Sequence, residues 1–485
     1  MAISNQQKNI HLLWRAGFGP AAEELAQISN ASPKAYFEAL LKGSKKSPAY
    51  IDVADNYLKG LVMGVDDVGK QQKKELTEEE KRKFRQQSQQ DIKNLNLTWL
   101  GQMVNSNQQL REKLSLFWHG HFACRALNIF FQQQLLDVIR RNALGSFADL
   151  LKEVSKSAAM INFLNNNQNR KGHPNENFAR EVMELFTLGR GNYTEEDVKE
   201  AARAFTGWGA GLNGEFVFRK NQHDAGTKTV LGRTGNFTGD EILDILLTQP
   251  QTARFIAKKI YRFFVNDVID EEKVNWLGNR FFQSNYSIQA LITDIFTSNW
   301  FYDEKNMGNR IKSPVELMVG VQRILPMEIA NEETLLLLQR LLGQLLFYPP
   351  NVAGWPGGKT WIDSSTLMMR LRIPQLIYAG DSFGVKPKDD DDQMMGMKEA
   401  PAKMKNFSAA TGKQIQAKIN WGQYLTYYQS IPREKLAASI TAMLLNSSQG
   451  INSNVLKNYT DASGRESFIK TTTIQLMCTP EYQLC

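Results

Sequence analysis

The feature that most constrains this chain is a helical period that runs through most of its length. Apolar residues recur at three- and four-residue intervals, the spacing of one face of an α-helix. In 252–264, Ile256, Ile260, Phe263 and Phe264 share a face, with Lys258, Lys259 and Arg262 elsewhere. Ser313-Pro314-Val315-Glu316 reads as a helix start, with Ser as N-cap, Pro at the first position and Glu reaching back. Thr194-Glu195-Glu196-Asp197 reads as another. The pattern predicts helices near 96–118, 128–152, 176–188, 195–206, 240–247, 252–264, 313–324 and 334–347. Strand signal is sparse. Residues 214–218 and 227–232 read as two short strands around a turn. The expected fold is therefore mainly α, a large multi-helix array with one small β-hairpin insertion near 214–232.

The same pass suggests an organisation. Residues 1–379 form a helical core, with a charged insertion at 69–91 that reads as a solvated helix. The stretch 380–412 holds four consecutive aspartates, Asp389 to Asp392, and no apolar period, so it reads as a flexible linker or loop. Residues 413–485 return to helical pattern and read as a C-terminal segment packing on the core. Hydrophobic residues make up 42% of the 485, enough for a substantial core. The net charge of +8 is mild for this size. Within Lys70–Arg85 the basic run is cancelled by Glu75, Glu78, Glu79 and Glu80, so no nucleic acid is expected. No run of 18 apolar residues suggests a membrane span. The first residues lack the layout of a signal peptide, so the chain as written reads as cytoplasmic. The three cysteines have neither a disulfide framework nor metal-ligand spacing; Cys478 and Cys485 lie where fraying is the default.

With only five histidines in the chain, their company matters. Phe117-Trp118-His119-Gly120-His121-Phe122 sets two histidines at i and i+2, roughly 200° apart on a regular helix. They can share a metal only if the helix ends there. The plain alternative is a packed histidine beneath Trp118. Next, Asn177, Glu181 and Glu184 fall at i, i+4 and i+7 in 175–189, on one polar face. Carboxylates so spaced serve metal sites or acid/base pairs in bundles. The alternative is a surface pair between Arg180 and Glu184. His223-Asp224 sits at the proposed hairpin, either as a turn or as a ligand or base delivered by a loop. The segment 348–362, with Asn351, Trp355 and Trp361, reads as a pocket wall or a packing loop. Its Gly-Gly-Lys-Thr lacks the strand and upstream glycine of a phosphate loop.

Together these motifs resemble the bacterial DUF1800 family. The resemblance is carried by His11-Leu12-Leu13-Trp14-Arg15-Ala16-Gly17-Phe18-Gly19, the 117–122 motif, Asn177 to Gly189, Ala202-Arg203-Ala204-Phe205-Thr206-Gly207-Trp208, His223-Asp224 with Lys228, and Pro349-Pro350-Asn351-Val352-Ala353-Gly354-Trp355. It runs from about His11 to Gly380. Family members often carry His where this chain has Phe186. The resemblance implies a genomic neighbour from the sulfatase-like DUF1501 family as a partner, and the export signals of relatives leave an envelope location open. It assigns no reaction. The chemistry-bearing groups at the signature positions suggest a pocket in which His119, His121, His223 and Asp224 hold a divalent metal. Glu181, Glu184, Arg180 and Arg203 would do catalysis, and Trp118, Asn177, Trp208, Asn351, Trp355 and Trp361 would form the wall or a partner surface. Metal-assisted hydrolysis or group transfer is the reaction class this suggests. The competing reading is a non-enzymatic helical binding or assembly module.

Overall fold

A computed structural model describes residues 3–68, 76–379, 416–446 and 459–485. The proposed linker 380–412 lies outside them. The described residues are mainly helical, with three two-stranded antiparallel sheets. One contiguous set of buried apolar side chains runs from Ile10 to Cys485.

The first helix, α1 (Asn5–Ala16), starts at a capping box made by Ser4 and Gln7 and buries the signature residues His11, Trp14 and Arg15. It leads to Gly19, whose φ of +89° puts it tightly under the Trp14 ring, where a Cβ would sit 2.7 Å from a ring carbon. The charged segment opens α2 (Glu78–Asn105), capped by Thr77 and Glu80. Its first turns are solvated, with Lys81–Glu78 and Lys83–Glu79 pairs, but Ser88 and Asp91 are already buried. The single helix expected over 96–118 is broken at 106–108. The Gln109 side chain donates to the carbonyls of Met103 and Ser106 and so satisfies the end of α2. Helix α3 (Gln109–His121) then runs through the paired histidines. The helix expected over 128–152 likewise splits, into Ile129–Asn142 and Phe147–Lys156, with Ser146 capping the second.

The predicted helix at 176–188 is a short α4 (Asn177–Glu181) that widens into a π-helical turn at Val182–Thr187. The Thr187 hydroxyl donates to the Val182 carbonyl, five residues back. Thr194 caps α5 (Glu195–Ala204), as its sequence predicted. The hairpin region differs from expectation. Its two strands exist but do not pair with each other: Phe216–Phe218 pairs back with Trp208–Ala210, and Lys228–Val230 pairs forward with Arg233–Gly235. The second hairpin turns on Leu231 and Gly232, both at positive φ. That mirror-image turn suits the strand twist but strains Leu231, whose N–H is held by the Asp197 carboxylate at 2.7 Å. Local alternation finds strands; it does not say which neighbour each will take.

Helix α6 (Pro250–Phe264) and α7 (Pro314–Ile324) complete the frame of the site. Ser313 and Glu316 form the predicted capping box of α7. Glu316 does more, because it is fully buried and accepts hydrogen bonds from both Lys113 and Arg310. Around this carboxylate lie Arg15 and Lys312, also without exposure. The Lys312 ammonium is 3.6 Å from the Trp14 ring centre and 3.7 Å from that of Tyr482. The helix predicted over 334–347 stops at Leu341, because Gly343 adopts a φ of +85°.

Contrary to the fraying expected at 478–485, Cys485 is fully buried. Its main-chain oxygen accepts from Arg15 at 2.7 Å, and its N–H donates to the Arg310 carbonyl. The strand Ala417–Ile419 pairs with Met327–Ile329, which ties the C-terminal segment to the rest. All three cysteines are free. No described helix is long and apolar enough to cross a membrane.

Candidate functional site

Helix α3 does not end between His119 and His121, so the two side chains leave it in different directions. His119 is buried against the rings of Trp99, Phe347 and Trp355, and its Nε2 accepts from the Phe347 N–H at 3.3 Å. Burial pushes its pKa down to about 3. It is a neutral core acceptor. The loop carrying Trp355 is fastened here by Gly354, since a Cβ on that residue would lie 2.4 Å from the Gly120 carbonyl oxygen.

His121 faces another set of groups: the rings of Phe122, Phe147 and Phe186, and the amine of Lys259. Lys259 Nζ is 3.1 Å from His121 Nδ1 and donates to the Leu185 carbonyl at 3.1 Å. Leu185 belongs to the π-helical turn, whose wider register changes the carbonyl pattern of that helix, and such turns recur at functional sites. Burial, then the nearby Arg262, lowers Lys259 to a pKa of about 8. Burial, then the Lys259 charge, keeps His121 well below the usual histidine range. The ammonium thus donates to a neutral imidazole and a carbonyl. At pH 7 an amine of that pKa is roughly one-tenth free base, the poised state required of a catalytic lysine.

The other expected residues lie in separate settings. Arg180 does not pair with Glu184. It forms ion pairs with Glu176 at 3.1 Å and Glu195 at 2.7 Å. Glu184 accepts from the Tyr193 hydroxyl at 2.6 Å and pairs with Arg190 at 3.2 Å. Glu181 is half-buried, and burial followed by Glu184 raises its pKa. Asn177 is exposed and donates to the Leu164 carbonyl. Arg203 and Asp224 do meet: the guanidinium Nε lies 2.9 Å from the carboxylate, and Nη1 lies 2.8 Å from Glu200. Arg203 holds Asp224 at a pKa of about 2. Lys228, almost fully buried, donates to the Asp224 and Gly226 carbonyls, and His223 Nδ1 is 3.0 Å from the Thr206 carbonyl. These bonds clamp the 223–228 loop to the end of α5. Trp118 is core, donating to the Ala143 carbonyl, and Trp208 packs on Phe205. Trp361 is buried, whereas Asn351 is exposed and caps its own turn at the Ala353 N–H.

The four expected metal ligands therefore fall into three places: His119, His121, and the His223–Asp224 loop. Among the described residues, no group of three His, Cys, Asp or Glu could hold a metal ion. Sequence reasoning missed Lys259. The available signal was its position between Ile256 and Ile260, at the edge of the apolar stripe, where a lysine can turn inward.

Fold and site together define a large, mainly α protein in which the 117–122 segment and the π-helical turn meet at a buried lysine. The chain belongs to the DUF1800 family, described as a protein of unknown function, whose model matches residues 11–484. The match extends about a hundred residues past the expected limit at Gly380, and it takes in the segment that closes over Arg15 and Arg310. No curated protein and no solved structure matches the chain.

Proposed function

We propose that the protein is an enzyme of group transfer or hydrolysis whose working groups are Lys259 and His121. The observation that carries this reading is the 3.1 Å contact between the Lys259 amine and His121 Nδ1, in a buried setting where the lysine has no carboxylate partner among the described residues. Lys113 is matched by Glu316, whereas Lys228 and Lys312 are buried with their amines on main-chain carbonyls; what sets Lys259 apart from all three is its contact with an imidazole. In the proposed reaction the Lys259 ammonium protonates a leaving group, or its free amine takes a proton from the attacking one. His121 Nδ1, as acceptor, orients the Lys259 amine for that transfer. In a metal-assisted form of the same chemistry, a divalent metal would take the His121 imidazole from Lys259.

The test is a screen of acyl and phosphoryl p-nitrophenyl esters with wild type, Lys259→Arg, Lys259→Met and His121→Gln, alongside metal analysis of each. Lys259→Arg keeps a positive charge but cannot lose a proton at working pH. A loss of roughly 10²–10⁴ in rate for both Lys259 variants, with folding retained, supports the proposal. Full activity in Lys259→Arg sinks it. Metal that is present in wild type and lost in His121→Gln selects the metal form.

One observation favours a second reading, a binding or assembly module. Arg180 and Arg203, which would have bound an anionic substrate, are each held by two carboxylates of the chain itself. In that reading the signature charges fix the array, and a DUF1501-like protein is the partner. Co-purification that survives Lys259→Met, with no turnover of any ester, selects it.

A further inference from the structure

Two loops that share no residue with the His121–Lys259 pair carry a repeated pattern, Arg170-Lys171-Gly172-His173 and Arg219-Lys220-Asn221-Gln222-His223. The main chain stitches them together. Gly207 accepts from the Arg219 N–H at 2.7 Å and donates to the Asn169 carbonyl at 3.1 Å, and the Lys171 N–H donates to the Gln222 carbonyl at 2.8 Å. The junction needs glycine at 207, whose φ is +81° and where a Cβ would sit 2.7 Å from the Arg219 carbonyl oxygen. Arg170, Lys171 and Lys220 are exposed and Arg219 partly so, and none of the four makes an ion pair among the described residues. By contrast, Arg180 and Arg203 are each held by two carboxylates. Across 165–175 and 208–223 the one acidic residue is Glu215. Four like charges on two joined loops repel one another, and an anionic partner relieves that repulsion.

A second observation points to the kind of partner. The loop at 219–223 continues from the hairpin that pairs Trp208–Ala210 with Phe216–Phe218. Three apolar residues of that hairpin face solvent: Leu212 in its turn is 52% exposed, Val217 39% and Phe218 42%. Val217 and Arg219 are two residues apart, on one face of the strand, and the Arg219 guanidinium lies back against Gly209, the cross-strand partner of Val217. The turn is fastened to the helix Ile129–Asn142, where Gln134 donates to the Asn213 carbonyl at 2.8 Å. Apolar and cationic groups thus sit side by side on an anchored hairpin.

We propose that this hairpin and its two basic loops dock the protein on an anionic lipid bilayer. The four cations meet headgroup phosphates, and Leu212, Val217 and Phe218 enter the boundary between headgroups and acyl chains. Aliphatic side chains beside the cations favour lipid over nucleic acid, whose bases stack on free aromatic faces. Of the three exposed apolar residues only Phe218 has a ring, and it packs edge-on with His223 at 5.2 Å.

The test is co-sedimentation of the full chain with vesicles of phosphatidylglycerol and of phosphatidylcholine. Binding is expected to the first and not to the second, and it should weaken as salt is added. Lys171→Ala combined with Lys220→Ala should weaken it about 25-fold, at about fivefold for each cation lost. Leu212→Ser combined with Val217→Ser keeps the charge and should weaken it about tenfold. All four positions are exposed, so the fold is kept. Equal sedimentation with both kinds of vesicle, none with either, or wild-type binding by either double variant would overturn the proposal. So would binding of duplex DNA without binding of vesicles.

Discussion

Two buried lysines of this protein meet burial in different company. Lys113 is fully enclosed, donates to the Trp14 carbonyl, and shares the Glu316 carboxylate with Arg310. Burial alone would raise the Glu316 carboxyl, but Arg310 and Lys113 hold it well below the usual range, so the carboxylate stays ionised. Lys259 has a neutral imidazole and one carbonyl instead. Burial lowers both amines. In the first the charge is matched and locked, and its removal would leave a hole in the frame. In the second the amine is largely buried beside neutral groups; both amines are lowered to about 8, so the difference between them lies in their partners. Burial of a lysine therefore says little about function until its partner is named.

The contrast can be broken most directly at Glu316. Glu316→Gln leaves Lys113 and Arg310 buried without an anion, and should cost about 3–5 kcal/mol in denaturant unfolding. A cost below about 1 kcal/mol would show that the cluster is not held by that carboxylate. Acid gives the next largest effect. His11, His119 and His121 are all buried and held below the ordinary histidine value. The unfolded chain takes up these protons near pH 6.5 and the folded chain does not. Stability is thus fully present above 6.5 and falls as pH drops below it, by ~1.4 kcal/mol per pH unit per histidine. For His119 the loss continues to about pH 3. A flat Tm between pH 7 and 5 would contradict neutral burial of these rings. Asp224→Asn should cost less, about 1 kcal/mol, because the Arg203 pair is partly exposed. Its folded pKa is depressed, so the contribution exists above the unfolded value near 3.9 and fades as pH falls toward about 2. A loss larger than that of Glu316→Gln would invert the ranking of the two clusters.

Much of the frame was legible because it is local. Thr194 and Ser313 announce their helices through the hydrogen bonds their own side chains make. The breaks at 106–108 and 143–146 were not: the first is closed by a glutamine, Gln109, whose side chain folds back on the helix end, and at the second the Phe147 N–H finds the distant Tyr286 carbonyl. The burial of Cys485 depends on Arg15, at the far end of the chain. For the site, spacing could not show that His121 and the Leu185 carbonyl would meet a lysine from α6. Arg180 and Arg203 looked catalytic in sequence. In space their charge goes to neighbouring carboxylates.

The account turns on the state of one amine, and a site-resolved pH titration of Lys259 measures it directly. Labelling with an amine-selective reagent, read residue by residue by mass spectrometry from pH 6 to 11, would follow its free base. A midpoint near 8, displaced downward in His121→Phe, which removes an acceptor of the ammonium, is the result predicted here. A midpoint at or above 10, or no change on removing His121, would contradict it.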